Sequence, residues 1–224
     1  MNDEFAQELA RMAQVLHEQP DVEQTAERFL EFVLPRIGTS HASLLLVHRG
    51  GRLESATATD ALVEEADRVQ IETGEGPSFS VVQVEKSVVS GRVPEDPRWP
   101  RWADGIADVG LRSVLSVRLR TPTTTVGVLN LYDRETDRFD PNDDVIAQVF
   151  ADHAAVAVSN ARSESTLWQA IDARKLIGQA QGILMERFDL TDEQAFAVLR
   201  RYSQDNNVKL RDVAQRLIAT RKLS

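Results

Sequence analysis

Ser113-Val114-Leu115-Ser116-Val117-Arg118-Leu119-Arg120, then Thr121-Pro122-Thr123-Thr124, then Thr125-Val126-Gly127-Val128-Leu129-Asn130-Leu131-Tyr132 is the stretch that decides the fold of most of this chain. Two β-type runs joined by four turn-forming residues read as a hairpin. Gly127, inside the second run, predicts a bulge or a close backbone approach. Towards the N-terminus, the apolar run at 43–48, the turn Arg49-Gly50-Gly51-Arg52 and the Thr- and Ala-rich run at 53–59 predict a second hairpin. Between the hairpins, Thr73-Gly74-Glu75-Gly76-Pro77 is a loop, with Pro77 suited to the first turn of a following helix. Residues 92–102 hold three prolines and two tryptophans, the composition of a loop with anchors.

Helices flank this sheet. Phe5, Leu9, Met12 and Leu16 recur at spacings of four, three and four, one buried helical face. Pro20 interrupts it, and a second helix carries Ala26, Phe29, Leu30 and Val33 before Pro35 and Gly38 end it. After Pro141 no proline occurs to about Glu186, and the first glycine is Gly178. Val145, Val149, Val156, Asn160, Leu167 and Arg174 fall there at sevens and near-sevens. That predicts one long helix, or two end to end, with the spacing of a parallel coiled coil and Asn160 as a register-setting polar residue. Alanines 151, 154, 155, 157 and 161 fit packing against the sheet instead. Two short helices, near 192–205 and 209–221, close the chain. The boundaries read as an N-terminal helix at 1–21, a sheet domain at 22–162 and a helical domain at 163–224.

Composition narrows the function. Of the 224 residues, 42% are hydrophobic and 27% charged, an ordinary balance for a folded soluble protein. No apolar run approaches the roughly twenty residues of a membrane span, and the acidic start lacks the order of a secretory signal. With no cysteine, disulfides, thiolate metal sites and thioether-linked chromophores are excluded. The simplest expectation from these features is a soluble, cytoplasmic protein. Charge is uneven: residues 1–165 hold 16 Lys and Arg against 28 Asp and Glu, a net of −12, whereas 166–224 hold 10 against 7, a net of +3. Only the last quarter favours a polyanion.

Gly74-Glu75-Gly76-Pro77, Pro97-Arg98-Trp99-Pro100, the run 110–117 and Val126-Gly127-Val128-Leu129-Asn130-Leu131-Tyr132 occur in the order and spacing of the GAF family of sensory domains. From about 22 to 162 the chain resembles that family, which implies an α+β fold: an antiparallel sheet with helices on one face and a pocket on the other. Trp99 and Trp102 read first as pins of their loop. The functional alternative makes them walls of a ligand pocket with Phe79, Ser113 and Leu115. Asn130, Phe139, Asp143 and Asp144 match the cyclic-nucleotide subclass only in part. Haem would need an axial ligand, and His17, His41, His48 and His153 read better as ordinary residues. No cofactor is expected, and the pocket's ligand is left open.

The run 174–187, Asp192-Glu193-Gln194-Ala195-Phe196, Leu199-Arg200-Arg201, Ser203-Gln204 and the run 207–214 closely resemble the ANTAR domain, an RNA-binding module of bacterial transcription antiterminators. The resemblance implies an all-α three-helix bundle, joined to the sheet domain by the long helix. Gly178 and Gly182, four apart on one stripe, predict close approach of a neighbouring helix, since Gly inside a helix costs about 1 kcal/mol. Thr191 and Gln194 form a capping-box pattern. Ala195, Val198, Leu199 and Tyr202 share one face of the following helix, with Arg200, Arg201 and Gln204 opposite. In the last helix Leu210, Val213, Ala214 and Leu217 face inward, with Arg211 and Gln215 outside. Arg200, Arg201, Gln204, Asn207, Lys209 and Arg211 thus form one expected RNA-binding cluster, with Gln181 as a further contact or an interface residue. Arginine and lysine attract phosphates, and amides pair with exposed base edges.

The combined expectation is a homodimeric, signal-responsive regulator without enzyme activity. Its expected partners are structured RNA, a second copy and a small-molecule ligand. The rival is a DNA-binding transcription factor that uses the last helix for recognition. A histidine kinase acting through His153 lacks any nucleotide-binding domain or phosphate-cradling loop.

Overall fold

A computed structural model describes residues 3–83 and 86–222; the first two residues of the N-terminal segment and the last two of the chain lie outside the described residues. It comprises two units, Met1–Arg162 and Ser163–Ser224. In chain order the first holds α1 (Asp3–His17), α2 (Val22–Ile37), β1 (His41–Val47), β2 (Leu53–Ala58), α3 (Ala61–Thr73), α4 (Pro77–Gln83), β3 (Ser87–Ser90), α5 (Pro100–Gly105), β4 (Ser113–Arg120) and β5 (Thr125–Asp133). Helix α6 (Pro141–Phe188) begins in this unit and ends in the second, where α7 (Asp192–Asp205) and α8 (Leu210–Thr220) follow.

The five strands form one antiparallel sheet in the order β2-β1-β5-β4-β3. Both expected hairpins are present as β1–β2 and β4–β5. Gly127 sits where an added Cβ would lie 2.7 Å from the Leu45 carbonyl oxygen, the close backbone approach that its place in a strand predicted.

Strand alternation sends side chains to two cores. On one face Leu44, Leu115, Val117, Leu119, Leu129 and Leu131 meet the buried stripes of α1, α2 and the first part of α6. Phe5, Leu9, Met12 and Leu16 of α1 belong to this core, each such side chain contributing roughly 1.5–3 kcal/mol. Alanines 147, 151, 154 and 155 let α6 lie close to it. Helix α2 runs through Pro35 rather than stopping there. The missing N–H removes only one bond in the last turn, and left-handed Gly38 (φ 76°) caps the end by donating its N–H to Leu34 O at 2.8 Å.

The other face carries α3, α4, α5 and the tryptophan loop over Leu45, Val114, Val128 and Tyr132. Its middle is packed rather than open: Trp102, Tyr132, Ile106 and Leu111 are fully buried there.

In the second unit Ala180 and Leu184 of α6, Ala195 and Leu199 of α7, and Val213, Ala214 and Leu217 of α8 make the core. Gly178 and Gly182 face away from it. A Cβ built on either meets nothing within 4 Å, so no helix among the described residues makes the close approach that their spacing predicted. The packing stripe runs through Ala180 and Leu184 instead.

Candidate nucleic-acid interface and sensor core

Helix α7 starts where the sequence placed it. Thr191 Oγ1 accepts from Gln194 N at 3.3 Å, and Gln194 Oε1 accepts from Thr191 N at 2.9 Å, a complete capping box. Ala195 and Leu199 are buried and Tyr202 half-buried, but Val198 is 39% exposed, at the margin of the packed stripe. Arg200, Arg201 and Gln204 lie on the exposed side of α7. The turn into α8 is tightly fixed: Val208 N donates to Ser203 O at 3.0 Å, and Ser203 Oγ donates to Val208 O at 2.6 Å. Asn207 takes the left-handed conformation (φ 51°), which Asn tolerates better than most residues. Asn207, Lys209 and Arg211 are exposed across this turn. Lys209 precedes α8 without a side-chain cap, so the helix begins with N–H groups free to meet an anion.

Among the described residues, Arg200, Lys209 and Arg211 make no ion pair. Arg201 Nε approaches Asp205 Oδ2 at 3.6 Å with both side chains largely in solvent, a link worth little. Gln181 is different. It is half-buried, and its Nε2 donates to Asp192 Oδ1 at 2.7 Å and Asp192 O at 3.3 Å. Its amide therefore braces α6 against the start of α7. The rest of the expected cluster shares one α7–turn–α8 segment.

The expected pocket of the first unit does not assemble as a set. Trp99 and Trp102 are pins: Trp99 Nε1 donates to Ser80 Oγ and Trp102 Nε1 to Ala66 O, each at 3.0 Å, and the rings meet edge to face at 5.8 Å. Arg98 stacks on Trp99 at 4.2 Å. Glu75 fastens the loop by accepting from Arg101 N and Nε, both at 2.8 Å. Phe79 is half-buried in the same layer. Leu115 is in the opposite core, and strand alternation puts Ser113 on that side too, with its Oγ donating to Glu135 O. Ser113 and Leu115 thus leave the candidate pocket.

A buried polar cluster occupies the space above the sheet. The register sets Ser43, Asn130 and Ser116 opposite one another across β1, β5 and β4. Asn130 Oδ1 accepts from Ser116 Oγ at 2.7 Å and Ser78 Oγ at 2.9 Å; its Nδ2 donates to Asp67 Oδ1 at 3.2 Å and Ser43 Oγ at 3.3 Å. Tyr132 OH also donates to Asp67 Oδ1 at 3.0 Å and accepts from Gln70 Nε2 at 3.0 Å. Gln70 Oε1 accepts from Ser78 N at 3.0 Å, and it lies where a Cβ on Gly76 (φ 141°) would stand. Asp67 Oδ2 has no partner. Burial pushes the Asp67 carboxyl up to about 7, against the lowering pull of Ser43, Tyr132 and Asn130. Burial and the Asp67 charge raise Tyr132 well above the usual phenol range.

Sequence reading passed over Asp67, Gln70 and Ser78. The available signal was a polar pair three apart on the apolar stripe of Val63, Ala66 and Val69. Among the described residues no group of three or more His, Asp or Glu side chains fits a metal ion, and no helix is long and apolar enough to cross a membrane.

A GAF domain model matches residues 19–159 and an ANTAR domain model residues 165–218. The chain belongs to the GAF domain family and carries an ANTAR domain behind it. The GAF domain is a sensor type and the ANTAR domain an RNA-binding, antitermination type, so the chain is a regulator of that general kind. No curated protein matches it. Among solved structures, the GAF domain of a phosphoenolpyruvate-protein phosphotransferase from Coxiella burnetii is 16% identical, with TM-score 0.57, covering 72% of this chain and 96% of that one. The corresponding domain from Acinetobacter is 14% identical, with TM-score 0.58 and coverage of 73% and 97%. Free methionine-R-sulfoxide reductase from Neisseria meningitidis, in complex with its substrate, is 17% identical, with TM-score 0.53 and coverage of 73% and 95%. At these identities the likeness is one of fold alone, and an enzyme shares it with sensor domains.

Proposed function

We propose that this protein is a homodimeric, signal-responsive antitermination regulator whose paired ANTAR domains bind adjacent RNA hairpins. The observation that carries the reading is the α7–turn–α8 segment. Arg200, Lys209 and Arg211 stand in solvent with no ion pair among the described residues, beside the exposed amides of Gln204 and Asn207. Cations for phosphates and amides for base edges are what a hairpin loop with unstacked bases requires. The charge split supports the same assignment, because residues 1–165 carry −12 and residues 166–224 carry +3.

Dimerisation is supported by α6. Val145, Val156 and Leu167 recur every eleven residues and are 62%, 54% and 61% exposed. Gly178 continues the repeat, while Ile171 (46% exposed) and Gly182 form a parallel one with Val149 and Asn160. Eleven residues span three helical turns, a period that suits a helix pair with a right-handed supercoil. A signal reaching the GAF domain biases this helix pair and so the spacing of the two RNA readers. The polar cluster under α3 and α4 is the place for that signal to act, through a small molecule that displaces part of the present packing. Engaged hairpins compete with a terminator, and transcription continues.

The test is binding to leader-type hairpin RNA and to duplex DNA at one salt concentration, followed by a salt series. Hairpin RNA should bind better. Replacing Arg200 and Arg201 by alanine should weaken binding and lower the salt slope by up to about one unit per lost phosphate contact. A preference for duplex DNA would overturn the reading in favour of a DNA-binding regulator. Unchanged slope and affinity would remove these two residues from the interface.

A further inference from the structure

The GAF domain holds a second feature, away from the polar cluster. Lys86, Arg118 and Arg120 line an open concavity of about 370 Å3 together with Thr121, Pro122, Gln148 and Asp152. Three cations converge there in the part of the chain that is otherwise strongly acidic, and none of them makes an ion pair with a described residue. Several other arginine side chains of this domain are tied to a carboxylate, as Arg68, Arg98, Arg101 and Arg138 are. Holding like charges together without partners costs free energy, so the arrangement asks for an anion.

Local structure explains how they meet. Arg118 N donates to Lys86 O at 2.9 Å, which holds Lys86 beside the end of β4. Arg118 and Arg120 are two apart on that strand, and the register shifts between Leu119 and Arg120. The skipped residue is Val126 on β5, so the ladder bends locally beside Arg120. In the same lining, Gln148 Nε2 donates to Asp152 Oδ1 at 3.0 Å, leaving Gln148 Oε1 and Asp152 Oδ2 as acceptors.

We propose that this concavity is a binding site for a small phosphate monoester bearing hydroxyl groups, the chemistry of a sugar phosphate. Arginine forks and a lysine take the phosphate, and the Gln148–Asp152 pair accepts from the hydroxyls. The volume lies within the range of small-molecule sites. A nucleic-acid backbone is the less suitable occupant, because the net of −12 over residues 1–165 repels a polyanion at long range. All of its lining residues belong to the first unit.

Calorimetric titration of the full chain with inorganic phosphate and with ribose 5-phosphate, at constant ionic strength, tests this. Ribose 5-phosphate should bind saturably and more tightly than inorganic phosphate. Arg118→Gln with Arg120→Gln should weaken both at least tenfold, with the circular dichroism spectrum unchanged. Asp152→Asn should tighten inorganic phosphate severalfold and narrow the advantage of the sugar phosphate. Binding should strengthen from pH 5 to 7.5 as the monoester gains its second charge near pH 6. No saturable binding of either compound, or binding unaffected by the double substitution, overturns the proposal. So does loss of hairpin RNA binding in the double variant without any phosphate-ester binding by the parent, since that assigns these cations to RNA.

Discussion

Asp67 keeps one oxygen satisfied and the other without a partner, in a side chain that is 1% exposed. Among the described residues no cation pairs with it: the groups around it are Ser43 of β1 and Asn130 and Tyr132 of β5, and Tyr132 is itself an acid. A bare charge there is costly, so the native state holds the proton more tightly than the unfolded chain does. The folded value, about 7, lies above the unfolded value near 3.8. Stability contributed by this group is therefore complete below about pH 4, declines as pH rises to about 7, and is flat above. Asp67→Asn keeps an acceptor for Asn130 and Tyr132 and removes the titration. At pH 8 the variant should be more stable than the parent by roughly 2–4 kcal/mol, and the difference should shrink towards zero near pH 4. Denaturant melts of both proteins at several pH values check this; a pH-independent difference would mean that the carboxyl does not titrate in this range. The same residue shows where sequence reading stops. Asn130 and Ser116 lie in recognisable strands, but which strand residues face each other is set by register. Asp67 enters only once α3 is laid across that row.

At the scale of elements, the hairpins, the long helix and the capping box were legible because each is written in local chemistry. Alternation, turn residues and Thr191 with Gln194 act within a few positions of themselves. Thr191→Ala should accordingly cost about 1 kcal/mol in the stability of the ANTAR unit, read by thermal melting. The misplacement of Ser113 and Leu115 has the opposite origin. Sequence reading groups them with Phe79 and the tryptophans as pocket walls, but Val114 between them is the residue on that side of the sheet. Gly178 and Gly182 are a third kind of case. Their spacing announced a close helix contact, and within the chain α7 and α8 pack on another stripe. An added methyl meets nothing there, so Gly178→Ala and Gly182→Ala should each stabilise the dilute monomer by about 0.5–1 kcal/mol through helix propensity. If α6 pairs with its copy across this face, the same methyls hold the helices apart and weaken the dimer. Thermal melts at low concentration, set beside sedimentation equilibrium at high concentration, separate the two effects. Stabilisation with no change in association would place the dimer contact elsewhere on α6.

For the whole molecule, the question is why one helix should belong to both units. A three-helix unit built around seven buried side chains has a small core, and sharing α6 gives it a helix already ordered by the sheet domain. In the proposed dimer, Leu167 and Ile171, which with Trp168 and Phe188 are the large apolar side chains of α6 exposed in the ANTAR unit, are what a partner copy covers. Covering them brings two RNA readers into one particle, and two linked readers gain affinity only on a transcript that offers two hairpins. Leu167→Glu with Ile171→Glu should therefore leave helical content unchanged, since both side chains already stand in solvent within the chain. Sedimentation should report a monomer. Affinity for a single hairpin should stay within about twofold, while affinity for a transcript with two adjacent hairpins should fall on the order of a hundredfold, the loss expected when a second binding event ceases to be intramolecular. Equal losses on both RNAs would mean that the two residues touch RNA directly. A persistent dimer with undiminished preference for paired hairpins would show that the copies meet through some other surface, and the link between GAF domain and RNA through α6 would have to be abandoned.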